Sequence, residues 1–145
     1  MKLYTSYFYQ VRFFPKNLVG LSTAYWNPKY RPMGQDTRGV ICLDIPPLKP
    51  GAACEGLCNG NCALKHPQSC KFLEVYYNQL EQINFENFME HLESLANTIK
   101  IGENLTKDVD FAFLVYESPK NICSERWPIQ KWFKNHGVEI KEWKR

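Results

Sequence analysis

Apolar residues recur along this chain with two periods, and the switch between them marks out strands and helices. Near the start, Leu3, Thr5, Tyr7 and Tyr9 alternate with Tyr4, Ser6 and Phe8, which predicts an opening strand over residues 2–11, buried on both sides. The run GVICLDI predicts a second short buried strand over 39–45 with Cys42 in the core, ended by Pro46, Pro47 and Pro50. FAFLVY predicts a third over 111–116, and residues 138–143 a last one.

Between these runs the period lengthens to that of a helix. Phe72, Val75, Tyr76, Leu80 and Ile83 stripe a helix over 71–83. Asn84 is placed to cap the next, whose apolar face carries Phe85, Phe88, Met89, Leu92, Leu95, Ala96 and Ile99, with Glu86, Glu90 and Glu93 outward and Gly102 at its end. A third helix is predicted over 125–136, with Ser124 as N-cap, Pro128 in the first turn and Gly137 closing it behind His136. Strand, helix and strand from 111 to 143 make a βαβ unit, whose two strands should be parallel. Residues 13–38, broken by Pro15, Pro28, Pro32 and Gly34, read as one long loop.

The pattern predicts a single α/β domain over 1–145, with a mainly parallel sheet flanked by helices and a Cys-rich metal-binding insertion at 51–70. A chain of 145 residues that is 44% hydrophobic can bury one core of ordinary size. No apolar run approaches the ~18 residues of a membrane span, and the first ten residues alternate instead of forming a secretory apolar stretch, so a cytoplasmic protein without a membrane partner is expected. Charge is uneven: residues 1–50 carry a net +5, 51–118 a net −6 and 119–145 a net +4. If the first and third strands lie side by side, their loops form a positive rim suited to an anionic ligand such as a nucleotide or nucleic acid. A merely solvated surface is the plainer alternative.

The candidate chemistry gathers where the 111–116 strand stops. Open parallel sheets bind ligands beyond the carboxyl ends of their strands, and Glu117, Cys123, Ser124 and Arg126 follow that end closely. Arg12 and Arg126 are candidates to hold phosphate, with Arg38 nearby and Ser124 and the helix N-terminus donating hydrogen bonds. Glu117 is the candidate general base, and Cys123 a candidate nucleophile beside the helix start. The competing readings make Cys123 a small buried hydrophobe and let Arg126 pair with Glu117 to tie strand to helix. Only Ser124 and Glu125 separate Cys123 from Arg126, too few for the phosphate cradle of a cysteine phosphatase. In the long loop Tyr25, Trp26, Lys29, Tyr30, Arg31 and Arg38 mix aromatic and basic side chains, as base stacking beside phosphate contacts requires; a lid packed over the sheet is the alternative.

Cys54, Cys58, Cys62 and Cys70 lie within seventeen residues, with His66 between the last two. Gly56, Asn59, Gly60 and Asn61 keep this segment from forming an apolar face, so the thiols read as ligands. A structural four-thiolate Zn2+ site is the first choice, and an iron-sulfur cluster or no metal the alternatives. An interaction module presenting this loop and Trp26 to a protein partner is the rival to ligand binding.

Three stretches, KLYTSYFYQVR, KFLEVYYNQLEQI and FAFLVYESPKNICSERWPIQKWFKNHGVEIKEW, give the chain a resemblance to the family called domain of unknown function 488. That resemblance implies a closing strand, acidic residue, Cys-His-Arg turn, helix and strand, with Glu117, Cys123 and Arg126 as the signature positions. Here Ser124 and Glu125 stand where a single His would be, so the role of that His does not carry over. The cysteine cluster is an addition to the pattern.

Overall fold

The structure, a computed structural model, describes residues 1–30, 33–58, 70–121 and 123–145. Six strands form one sheet: β1 (Leu3–Tyr7), β2 (Leu18–Ser22), β3 (Gly34–Gln35), β4 (Ile41–Asp44), β5 (Asp110–Val115) and β6 (Lys141–Glu142), in the order β3-β4-β2-β5-β1-β6. All neighbours are parallel except β3, which runs antiparallel to β4 at one edge. The chain is therefore a small α/β domain with a mixed, mostly parallel sheet.

Each strand of the centre alternates between two apolar layers. Val19, Leu21, Phe111 and Phe113 face one way, into a core completed by Tyr76 and Leu80 of α1 (Lys71–Glu81), Phe88 and Leu92 of α2 (Phe85–Gly102), and Ile129, Trp132 and Phe133 of α3 (Arg126–Asn135). Leu18, Cys42, Ala112 and Leu114 face the other way, against Phe8, Val11 and Phe14. The three α-helices thus share one face. The second face is covered by a 3-10 helix, Phe8–Phe13, and the chain around it.

Several elements sit where the periodicity puts them. Asn84 caps α2, its Oδ1 accepting from the Asn87 N–H at 3.0 Å, and Gly137 leaves α3 with a φ of +81° that suits glycine. β5 and β6 are both parallel to β1 and flank it, with α3 between them in sequence.

Three expectations need correction. The opening strand ends at Tyr7, because Phe8, Val11 and Phe14 recur every third residue and bury together only once the chain tightens into a 3-10 turn. The region 13–38 is not all loop: it holds β2, buried throughout and paired with both β4 and β5, and the two-residue edge strand β3. Gly20 disguises β2, and the packing over it favours glycine. A Cβ there would sit 2.7 Å from Leu114 Cδ1 and 2.9 Å from Cys42 Sγ, so a side chain would push two strands' layers apart. The closing strand is two residues long, and α3 begins at Arg126, one residue later than expected.

A candidate site at the carboxyl ends of the strands

The corner after β5 holds a saturated polar knot. Arg126 has no exposure. Its Nε donates to Glu142 Oε1 at 3.0 Å and one terminal nitrogen to Glu142 Oε2 at 3.2 Å, while the same nitrogen donates to the Glu117 carbonyl at 2.6 Å. The other terminal nitrogen approaches Ser124 Oγ at 3.4 Å, and Ser124 Oγ also accepts from the Arg126 N–H at 3.3 Å. Thr5 donates to Glu142 at 2.7 Å and receives from Gln130 at 2.7 Å, so β1, β6 and α3 share the network. Arg126 does tie strand to helix, as one reading of the sequence had it, though its carboxylate partner is Glu142 and Glu117 contributes only its carbonyl.

The other two candidate arginines are engaged elsewhere. Arg12 lies with its guanidinium 4.0 Å over the Tyr9 ring and donates to the Tyr9 carbonyl at 3.1 Å. Arg38 donates to the Val11 carbonyl at 2.8 Å and meets Asp36 at 3.6 Å. None of the three lines the cleft at the strand ends.

That cleft, of about 370 Å³, opens among the segments that follow β2, β4 and β5. Tyr25 and Trp26 form one wall, Gly51, Cys54 and Cys58 another, and Phe72 and Glu125 a third. The aromatic wall is held from below. Asn27 receives from Ser22 Oγ and donates to Asp44 at 2.9 Å; Lys49 Nζ meets Asp44 at 2.8 Å and donates to the Ala24 carbonyl at 2.6 Å. Asn27 first, then Lys49, hold the Asp44 carboxyl below its usual range. Tyr116 Oη donates to the Trp26 carbonyl. The second wall is clamped by α1, where Tyr76 Oη donates to the Leu48 carbonyl at 2.5 Å and Gln79 Nε2 donates to the Lys49 carbonyl at 2.7 Å.

Glu125 is the residue the sequence reading passed over. It opens the predicted helix directly after Ser124, yet it faces the cleft immediately before α3 begins. Burial raises its pKa to about 7, with the Glu117 carboxylate adding to the rise. Glu117 Oε2 is itself buried with no hydrogen-bond partner among the described residues. Cys54 is buried beside them, and that burial, with a smaller push from Glu125, raises its thiol pKa. The spacing of Glu117 and Glu125, eight residues apart around a turn, is a weak signal in the sequence that two carboxyls meet.

The Cys123 Sγ lies 3.9 Å from Cys70 Sγ, and the Cys123 N–H donates to Asn121 Oδ1 at 2.9 Å. Among the described residues, no group of three or more His, Cys, Asp or Glu side chains is arranged to hold a metal. Cys54 and Cys58 line the cleft and Cys70 meets Cys123, while Cys62 and His66 lie outside the described residues. No described helix is long and apolar enough to cross a membrane.

Comparison with protein-family models, with curated proteins and with solved structures finds no match.

Proposed function

We propose that this protein binds a nucleotide or nucleoside in the cleft beyond the carboxyl ends of β2, β4 and β5, with the base against Trp26 and Tyr25 and its polar edge toward Glu125. The observation that carries this reading is the pairing of an aromatic wall with a carboxyl whose pKa is about 7. Aromatic faces accept any base by stacking, and a carboxyl titrating at neutrality can donate to a ring nitrogen or accept from an amino group. Any reaction there would run through proton transfer by Glu125, with Glu117 behind it. The anionic part of the ligand finds less support than the base, because Arg12, Arg38 and Arg126 are occupied by protein groups.

The test is a titration of the four common nucleosides and their 5′-monophosphates, followed by tryptophan fluorescence and thermal shift. At least one should quench and stabilise, with loss of both effects in Trp26→Ala and a changed pH dependence in Glu125→Gln. Failure of the whole panel, or binding indifferent to both substitutions, overturns the reading. Equal affinity for nucleoside and monophosphate would confine recognition to the base.

A second reading, a protein-interaction module, is favoured by the exposure of Trp26 (75%) and Tyr30 (66%), since aromatic residues clustered on a surface are common at interfaces. A partner retained by the wild type and released by Trp26→Ala, with no small-molecule shift, would select it. Structural zinc on the 51–70 insertion of a cytoplasmic protein remains a proposal supported by the four closely spaced thiols; elemental analysis of the purified protein tests it.

A further inference from the structure

Cys70 immediately precedes α1, and Cys123 belongs to the loop that leads from β5 into α3. These residues stand 53 positions apart in the chain, yet their Sγ atoms are 3.9 Å from each other. Their setting differs from that of Cys42, which has no exposure and packs in the sheet beneath Gly20. Cys123 is half-buried and within reach of a small oxidant, while Cys70, at 7% exposure, is placed to react with it from inside.

We propose that Cys70 and Cys123 are a modification site, forming a reversible disulfide that ties the start of α1 to the loop before α3. A disulfide needs its sulfurs at about 2.05 Å. The remaining approach, roughly 2 Å, is the scale of a side-chain rotation at either residue. A hydroperoxide supplies the oxidising equivalents. One sulfur gives up its proton and attacks a peroxide oxygen, the O–O bond breaks, and the departing oxygen leaves as water or alcohol, giving a sulfenic acid. The second sulfur then attacks the first, the S–O bond breaks, and water leaves with the second thiol's proton as the S–S bond forms. Two thiols lose two electrons and two protons, and the peroxide gains them.

The bond would close a long loop, and long-loop cross-links restrict the unfolded chain strongly, so oxidation should raise the melting temperature. It would also bear on the cleft, because Phe72 and Glu125, each two residues beyond one of the cysteines, both line it. That consequence, a ligand affinity that differs between reduced and oxidised protein, rests on the nucleotide reading above; the disulfide itself does not.

The experiment exposes reduced wild-type protein to a small excess of hydrogen peroxide, blocks remaining thiols by alkylation, and maps the digest by mass spectrometry without reduction. A linked Cys70–Cys123 pair is expected, reopened by dithiothreitol, with the rise in melting temperature absent from Cys70→Ser and Cys123→Ser. Both thiols recovered singly, either one linked instead to Cys58 or Cys62, or purified protein carrying zinc that shields Cys70 from alkylation would each overturn it. The mapping uses the unaltered chain, so it stands even if a variant folds poorly. A disulfide in a protein that binds no nucleoside sinks the cleft reading alone, and nucleoside binding by a protein whose thiols stay unlinked sinks this one alone.

Discussion

Glu125 and Arg126 are adjacent in the chain and treated in opposite ways. Arg126 is enclosed, and two carboxylate oxygens, a carbonyl and a hydroxyl meet its donors. Among the described residues Glu125 has no cation comparable to Glu142's arginine; it faces an open cleft with a second carboxyl behind it, and its charge is opposed on both counts. A charged group whose partners are complete is occupied with holding the fold together. One left in an environment that penalises its charge stores free energy that a ligand or a proton can release, and such groups are candidates for function.

The contrast can be broken most forcefully at the saturated side. Arg126→Ala should cost about 3–5 kcal/mol in a urea unfolding experiment, because it strands the largely enclosed Glu142 carboxylate and the Glu117 carbonyl. A cost below about 1 kcal/mol would mean the knot is dispensable.

Glu125→Gln should act in the other direction and only at some pH values. The folded pKa, about 7, lies above the ordinary 4.5, so the native state holds its proton where the unfolded chain has lost it. Wild-type stability should fall as pH rises from about 4.5 through 7 and level off above. The glutamine variant should lack this slope and be the more stable protein at pH 8, by an amount on the order of 2–3 kcal/mol. A wild-type profile that is flat across that window removes the contrast.

Lys49→Met tests the support under the aromatic wall. It deletes the contacts to Asp44 and the Ala24 carbonyl and should cost about 1 kcal/mol, with ligand binding weakened by more than stability. Trp26→Ala should change stability least, by no more than about 0.5 kcal/mol given its exposure, while abolishing nucleoside binding. A large stability loss there would make Trp26 a lid instead of a platform.

The helices and most of the sheet could be read from the residues because their apolar spacing is regular and their ends carry conventional signals: Asn84, Gly102, Gly137 and the prolines after β4. β2 could not. Its five residues include a glycine, which normally argues against a strand, and only the packing of Leu114 and Cys42 across it shows why a side chain there would force its neighbours to move. The corner after β5 was visible as a place but not as an arrangement. Arg126 looked available because its partner, Glu142, is sixteen residues away on another strand. Glu125 looked ordinary because its pKa depends on burial and on Glu117, neither of which is local in the chain.

The two outer strands of the sheet, β3 and β6, are each a pair of residues. So short a border exposes few unpaired backbone amides and carbonyls, giving a foreign peptide little on which to extend the sheet. Molecules that recognise this protein should therefore meet it through side chains projecting from its loops, and self-association by edge-to-edge strand pairing should be slow even at high concentration.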